Sequence, residues 1–275
     1  MSTETAGLPR LVASDLDGTL LRSDGTVSRR TRETLRRVEA AGTEIVLVTA
    51  RPPRWLDHLG DVAGSHGVIL CAGGAFAYDV RSRTVTAEHC LTSDTVLSLA
   101  ADLRDALPGI GFAVERRTGF AHEPGYVVAG SEPRGVTIVE APDVDASDLE
   151  SLLDPLPGKL LAKCPGVPHE EFHERVRTVV GERAVLAFSG ALGLAEISAA
   201  GVTKAAALAD WCGHRGVAAR DVWAFGDMPN DLPMLRWAGT AYAVANADPQ
   251  VRAIADATTE SNDDDGVARV LEALA

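Results

Sequence analysis

The chain has 275 residues, 46% of them apolar and 24% charged, the mix of a soluble globular protein with room for one large or two ordinary domains. A formal net charge of −13 disfavours nucleic acid or an anionic membrane as partner, and no run of about 18 apolar residues predicts a membrane span. The four cysteines (Cys71, Cys90, Cys164, Cys212) are scattered without a CxxC pair, and Met1 to Pro9 is polar with no apolar signal core, so a reducing cytoplasm is expected.

The first element is a strand, Arg10–Ser14, rising into the hexapeptide Asp15-Leu16-Asp17-Gly18-Thr19-Leu20, where Gly18 and Thr19 stop the pattern. If the strand stays extended through it, Asp15 and Asp17 project the same way. Two carboxylates so placed need a metal, a lysine or both. A calcium loop is excluded, because its fifth and twelfth ligand positions hold Thr19 and Thr26 and no helical pattern precedes Asp15. Ser28 then caps a helix to Ala41, stopped by Gly42, with Leu35 and Val38 on one face and arginines on the other. Glu44–Thr49 is a second, more buried strand. Strand, helix and strand within about 40 residues form a βαβ unit, so a parallel sheet is expected. Gly67–Cys71 is the next strand, ending before Gly73-Gly74, and a hairpin follows near Phe76–Tyr78 and Val85–Ala87.

The middle of the chain changes character. A helix from Thr92 to Leu107 precedes strands near Gly111–Glu115 and Gly119–His122, then an irregular stretch to Pro142. A helix near Ala146–Leu153, a strand Lys159–Lys163, a helix Pro168–Val180 and strands near Val185–Phe188 and Leu194–Ile197 complete an α+β unit. Past Gly201 the alternation returns. Helices are expected at Lys204–His214, Pro229–Ala238, Pro249–Ala255 and Asp265–Leu274, with strands at Asp221–Gly226 and Ala241–Val244. The fold class is α/β: a Rossmann-like parallel-sheet core, 1–84 and 190–275, with an inserted α+β cap domain, 85–189.

Four groups of residues line up along this order, most at strand ends, where ligands bind in open parallel sheets. They are Asp15/Asp17, Thr49, Lys204 and the segment Gly226–Asp231 with Asp227, Asn230 and Asp231. Acids gathered there demand cations. A hard divalent ion such as Mg²⁺ takes oxygen ligands from Asp15, Asp227 and Asp231. Lys204 adds a compact charge suited to a phosphate oxygen, one of only three lysines in the chain, with Lys159 and Lys163. Thr49 offers a hydroxyl, and Gly18 and Thr19 offer backbone N–H groups. The set suits phosphoryl transfer.

On these residues the chain resembles the haloacid-dehalogenase-like (HAD) phosphohydrolase superfamily, and within it the Cof-type sugar phosphatases. The likeness is most specific at Asp15–Leu20, Val48–Arg51, Glu196–Lys204, Phe225–Asp231 and Asn262–Val267. It implies that Asp15 is the nucleophile, forming an aspartyl-phosphate, and Asp17 the general acid/base. It implies that Thr49, Lys204 and Asn230 bind the phosphoryl group. Mg²⁺ would be held by Asp15, the Asp17 backbone carbonyl and Asp227, with Asp231 supporting. It also implies a cap that closes over the site, in the interval of about 150 residues between Thr49 and Lys204. The expected partner is a small phosphorylated metabolite; a phosphomutase and a catalytically silent binding module are the alternatives. Two departures concern substrate. Thr49-Ala50-Arg51 stands for the usual Thr-Gly-Arg, and Gly73-Gly74-Ala75 for Asn-Gly-Ala. Arg51, Gly73 and Gly74 are therefore candidate substrate contacts, with Arg116, Arg117 and Lys163 as further candidates in the cap. The string His169-Glu170-Glu171-Phe172-His173 fits the zinc-protease pattern H-E-x-x-H but falls in the cap, and is read as a chance match.

Overall fold

The wholly buried run Leu11–Ser14 lies between two others, Val222–Gly226 and Glu44–Val48, with Leu11 opposite both Val222 and Glu44. An apolar run buried on both faces belongs in a parallel sheet, and all these pairings are parallel. Val68–Cys71 extends the sheet beyond Glu44–Val48, and Thr240–Ala243 and then Ala257–Thr258 extend it beyond Val222–Gly226. The first helix, Arg29–Ala40, is the crossover. The Ser28 side chain accepts from the Thr31 N–H at its start, and Thr31, Thr34, Leu35 and Val38 face inward. This computed structural model describes residues 9–126, 148–188 and 193–274. The chain divides into two units, the first comprising 1–49, 58–70 and 204–275, the second 50–57 and 71–203.

The second unit has its own antiparallel sheet of five strands, in the order Gly119–His122, Gly111–Arg116, Lys159–Lys163, Leu194–Ala199, Ala184–Ala187. Side chains alternate across it. Phe112, Val114, Leu160, Ala162, Ala195 and Ile197 form one core with the helices Ser93–Ala106 and His169–Val180. Their alternates, Ala113, Leu161 and Leu194, cluster with Tyr126 on the other face. A hairpin, Phe76–Asp79 with Thr84–Glu88, also belongs to this unit.

The second unit is wider than the expected insert. It takes in the hairpin from Phe76 and the strand Leu194–Ala199, because that strand is hydrogen-bonded antiparallel on both sides. The helix expected near Ala146–Leu153 begins outside the described residues, the irregular stretch to Pro142 lies outside them from 127 onward, and Glu150–Leu153 is a single 3-10 turn. The helix expected at Pro229–Ala238 divides into a 3-10 turn, Pro229–Asp231, and the α-helix Leu232–Trp237. No helix is long and apolar enough to cross a membrane among the described residues.

Candidate active site

Asp15 follows directly on the strand Leu11–Ser14, and its N–H continues the ladder to the Phe225 carbonyl at 3.0 Å. The extended backbone ends there. The Leu16 carbonyl accepts from the N–H groups of Thr19, Leu20 and Leu21 at 3.3, 3.0 and 2.8 Å, folding the hexapeptide into a turn. The two-residue alternation expected through Asp17 rests on extended backbone, which ends at Leu16. Asp15 is buried and Asp17 is exposed. The acids that converge on Asp15 come from the other end of the chain. Asp15, Asp227 and Asp231 each offer a carboxylate oxygen within 4.8 Å of one another, and Asp17 is not in that group.

Lys204, the first residue of the helix Lys204–Arg215, places its Nζ 2.5 Å from Asp15 Oδ1 and 2.6 Å from Asp231 Oδ1. The other oxygen of Asp231, Oδ2, accepts from the N–H groups of Asp227 and Met228, both at 3.1 Å. This carboxylate thus fixes the turn that presents Asp227. Asp227 Oδ1 in turn accepts from the Thr19 hydroxyl at 3.0 Å. Two glycines make the approach possible. Gly18 has φ +77°, and a Cβ there would stand 2.3 Å from Asp227 Oδ2. At Gly226 a Cβ would stand 2.7 Å from that of Asp231.

Burial pushes the Asp15 carboxyl well above the ordinary carboxylate range; Lys204 opposes this, and Asp231 and Asp227 add to it. Burial, then the Asp231 charge, pushes Asp227 up to about 6. For Lys204 burial works against the ammonium, but Asp15 and Asp231 outweigh it and hold its pKa above the usual lysine range. Three carboxylates thus share one ammonium. The donors are all oxygen, buried and short of positive charge, and this donor set fits Mg²⁺.

Thr49 is fully buried just past the strand Glu44–Val48, its N–H donating to the Leu70 carbonyl at 2.8 Å. Asn230 keeps its Oδ1 buried with no hydrogen-bond partner among the described residues. Two asparagines brace the hexapeptide from behind. Asn246 Nδ2 donates to the Gly18 carbonyl at 2.7 Å, and Asn262 Nδ2 donates to the Leu21 carbonyl at 2.8 Å. The Asn262 N–H donates to Asn246 Oδ1 at 3.0 Å, joining the two. Asn262 lies in a stretch where the resemblance is specific; nothing in the sequence singles out Asn246.

Arg51, Gly73 and Gly74 belong to the second unit, where the Ala72 N–H donates to the Arg51 carbonyl at 2.7 Å. Arg116 donates to the carbonyls of Leu152 and Asp154, Arg117 lies 3.9 Å from Glu88, and Lys163 stands 5.5 Å over the Tyr126 ring. Sequence reasoning missed Lys159 and Glu196, a buried ion pair in this unit. Of the two H-E-x-x-H histidines, His173 is half-buried and stacked on Phe188, and His169 is not. Phe172, Val176 and Val180 are buried, whereas His169 is exposed and accepts from the Gly193 N–H at 3.1 Å. Among the described residues only Asp15, Asp227 and Asp231 form a group of three or more metal-ligating side chains.

The family described as haloacid dehalogenase-like hydrolase matches residues 12–271. The chain is 28% identical over 274 residues to the putative phosphatase YxeH of Bacillus subtilis, covering 96% of this chain and 98% of that one. It is 27% identical over 270 residues to the 5-amino-6-(5-phospho-D-ribitylamino)uracil phosphatase YitU of the same organism, covering 96% and 97%. The solved structure of BT1666, a HAD-superfamily phosphatase from Bacteroides thetaiotaomicron, has a TM-score of 0.82 at 23% identity over 99% of this chain and 97% of that one, a likeness of fold.

Proposed function

The chain belongs to the haloacid dehalogenase-like hydrolase family, and from that premise we propose that it is a cytoplasmic, Mg²⁺-dependent phosphatase of a small phosphorylated metabolite. The observation that carries this reading is the Lys204 ammonium set between Asp15 and Asp231 beside Asp227, three carboxylates on one ammonium, which calls for a further cation.

As a phosphoric monoester hydrolase the chain works in two displacements. An Asp15 carboxylate oxygen attacks phosphorus, and the bond from phosphorus to the ester oxygen breaks as Asp17 gives that oxygen a proton. The exposed position of Asp17 suits a group that must reach the leaving alcohol and then water. Asp17 then takes a proton from water as the water attacks phosphorus; the bond to Asp15 breaks, and orthophosphate leaves. Lys204, the Thr49 hydroxyl, Asn230 and the Gly18 N–H hold the phosphoryl oxygens, whereas the expected Thr19 N–H is already given to the Leu16 carbonyl. Asp15, Asp227 and the Asp17 carbonyl would hold Mg²⁺, with Asp231 in support, and the bound ion would neutralise charge on the transferring group. The insert 85–189 is the proposed cap, with Arg51, Gly73 and Gly74 as proposed substrate contacts.

A sugar phosphate is the proposed substrate class. Purified protein, Mg²⁺ and a panel of phosphate monoesters test it, with released orthophosphate as readout. Release from small phosphosugars supports the reading; phosphosugar isomers without orthophosphate would mean a mutase, and an inert protein a binding module.

A further inference from the structure

Two ion pairs lie against the second unit's sheet, on the face opposite its helices, with Lys159, Glu196 and Glu115 buried and Arg54 only partly so. Lys159 pairs with Glu196, and Arg54 pairs with Glu115. Glu115 and Lys159 are directly opposed across adjacent strands, while Glu196 stands opposite Leu161 on the next. Alternation sends all three away from the core that contains Val114, Leu160 and Ile197.

Lys159 does more than neutralise a glutamate. Its Nζ also donates to the Ala50 carbonyl at 3.0 Å. Its Cε lies 3.6 Å from where a Cβ on Gly73 would stand. One ammonium therefore meets both segments that carry the candidate substrate contacts, 50–51 and 72–74, and these are themselves joined by the bond from Ala72 to Arg51. Three residues beyond Arg51, Glu115 grips the Arg54 guanidinium with both oxygens, at 3.2 and 2.5 Å, and Arg54 lies 4.4 Å over the Trp55 ring.

Stability does not account for this arrangement. The side chains of Lys159 and Glu196 are 5% and 7% exposed, and at such burial desolvation offsets most of the attraction. Packed apolar residues would hold the sheet as well. An ion pair supplies something they cannot, a donor fixed in place for one particular carbonyl.

We infer that Lys159 and Glu196 are positioning residues for phosphate-ester binding. Glu196 holds the ammonium, the ammonium holds the Ala50 carbonyl, and the peptide between Thr49 and Arg51 is thereby set. The inference rests on the phosphatase reading above.

The test compares wild type with Lys159→Met/Glu196→Leu, which removes both charges and leaves neither partner stranded. Melting temperature, kcat and KM for p-nitrophenyl phosphate, and orthophosphate affinity by calorimetry are measured with Mg²⁺ present. The double variant should melt within roughly 5 °C of wild type. Its KM should rise about tenfold and its orthophosphate affinity fall by a similar factor. A merely structural role would lower the active fraction, and so kcat, with KM unchanged. A folded double variant with wild-type KM and phosphate affinity overturns the inference. If that variant does not fold, Lys159→Arg serves instead, keeping the charge and the pairing with Glu196 but replacing a point donor by a planar fork; the same rise in KM is expected, and an unchanged KM overturns the inference. Should wild type cleave no phosphate ester, the phosphatase reading fails on its own, and the orthophosphate comparison still decides the positioning role.

Discussion

Lys204 Nζ lies 2.5 Å from Asp15 Oδ1, although 189 positions separate the two residues in the chain. Both are almost shut off from water, with side chains 3% and 6% exposed. The ammonium is the only cation that hydrogen-bonds Asp15 and Asp231 among the described residues. Lys204→Met should therefore strand two buried carboxylates and, without divalent cation, destabilise the fold by roughly 3–5 kcal/mol. Urea unfolding in EDTA reads this; an unchanged midpoint would contradict the buried arrangement.

Mg²⁺ should stabilise the protein, because three carboxylates face one ammonium. A ligand held only by the folded state adds about 2.7 kcal/mol at 100 times its dissociation constant. Thermal scans with and without Mg²⁺ should show an upward shift in wild type and a much smaller one in Asp227→Asn. Equal shifts in both would remove Asp227 from the metal site.

Gly18→Ala should damage the same site through the backbone. The residue has φ +77°, and its new Cβ would stand 2.3 Å from Asp227 Oδ2. The conformation alone costs about 1–3 kcal/mol, and Asp227 must move. The Mg²⁺ concentration giving half-maximal activity should rise, and a variant with the wild-type value would show that Asp227 does not depend on Gly18.

Much of this site is legible along the chain because most of its groups follow an apolar run. Thr49 follows Glu44–Val48, and Asp227 follows Val222–Gly226. Alternation does not by itself orient Asp17, since period two holds only while the strand continues, and the Leu16 carbonyl ends it by accepting three N–H groups. The Lys159–Glu196 pair was not legible either. It depends on an antiparallel register, Lys159 against Glu115 and Glu196 against Leu161, and no local pattern specifies which residues face one another. The short strand Ala257–Thr258 escaped because two exposed residues carry no periodicity.

His66 makes stability fall in mild acid. Its Nε2 lies 2.8 Å from the Ile45 carbonyl, and its Nδ1 accepts from the Val68 N–H at 2.8 Å, so the neutral ring is satisfied at both nitrogens. Burial lowers its pKa and nearby Arg215 acts the same way, while the Ile45 carbonyl, Glu44 and Glu39 act in the opposite direction. The unfolded chain takes up the proton near pH 6.5 and the folded one only below that. The contribution is thus complete above about pH 6.5 and is lost as pH falls below that through the lower folded value. Urea midpoints at pH 7.5 and 5.5 should fall more in wild type than in His66→Gln, and equal falls would sink the assignment.

The central claim is that Asp15 is the nucleophile, and Asp15→Asn tests it most directly. The substitution is isosteric and removes one of three crowded buried charges, so its melting temperature in EDTA should match or exceed that of wild type. Turnover of p-nitrophenyl phosphate with Mg²⁺ should fall by about 1,000-fold or more. A folded Asp15→Asn enzyme that retains wild-type kcat would contradict the account.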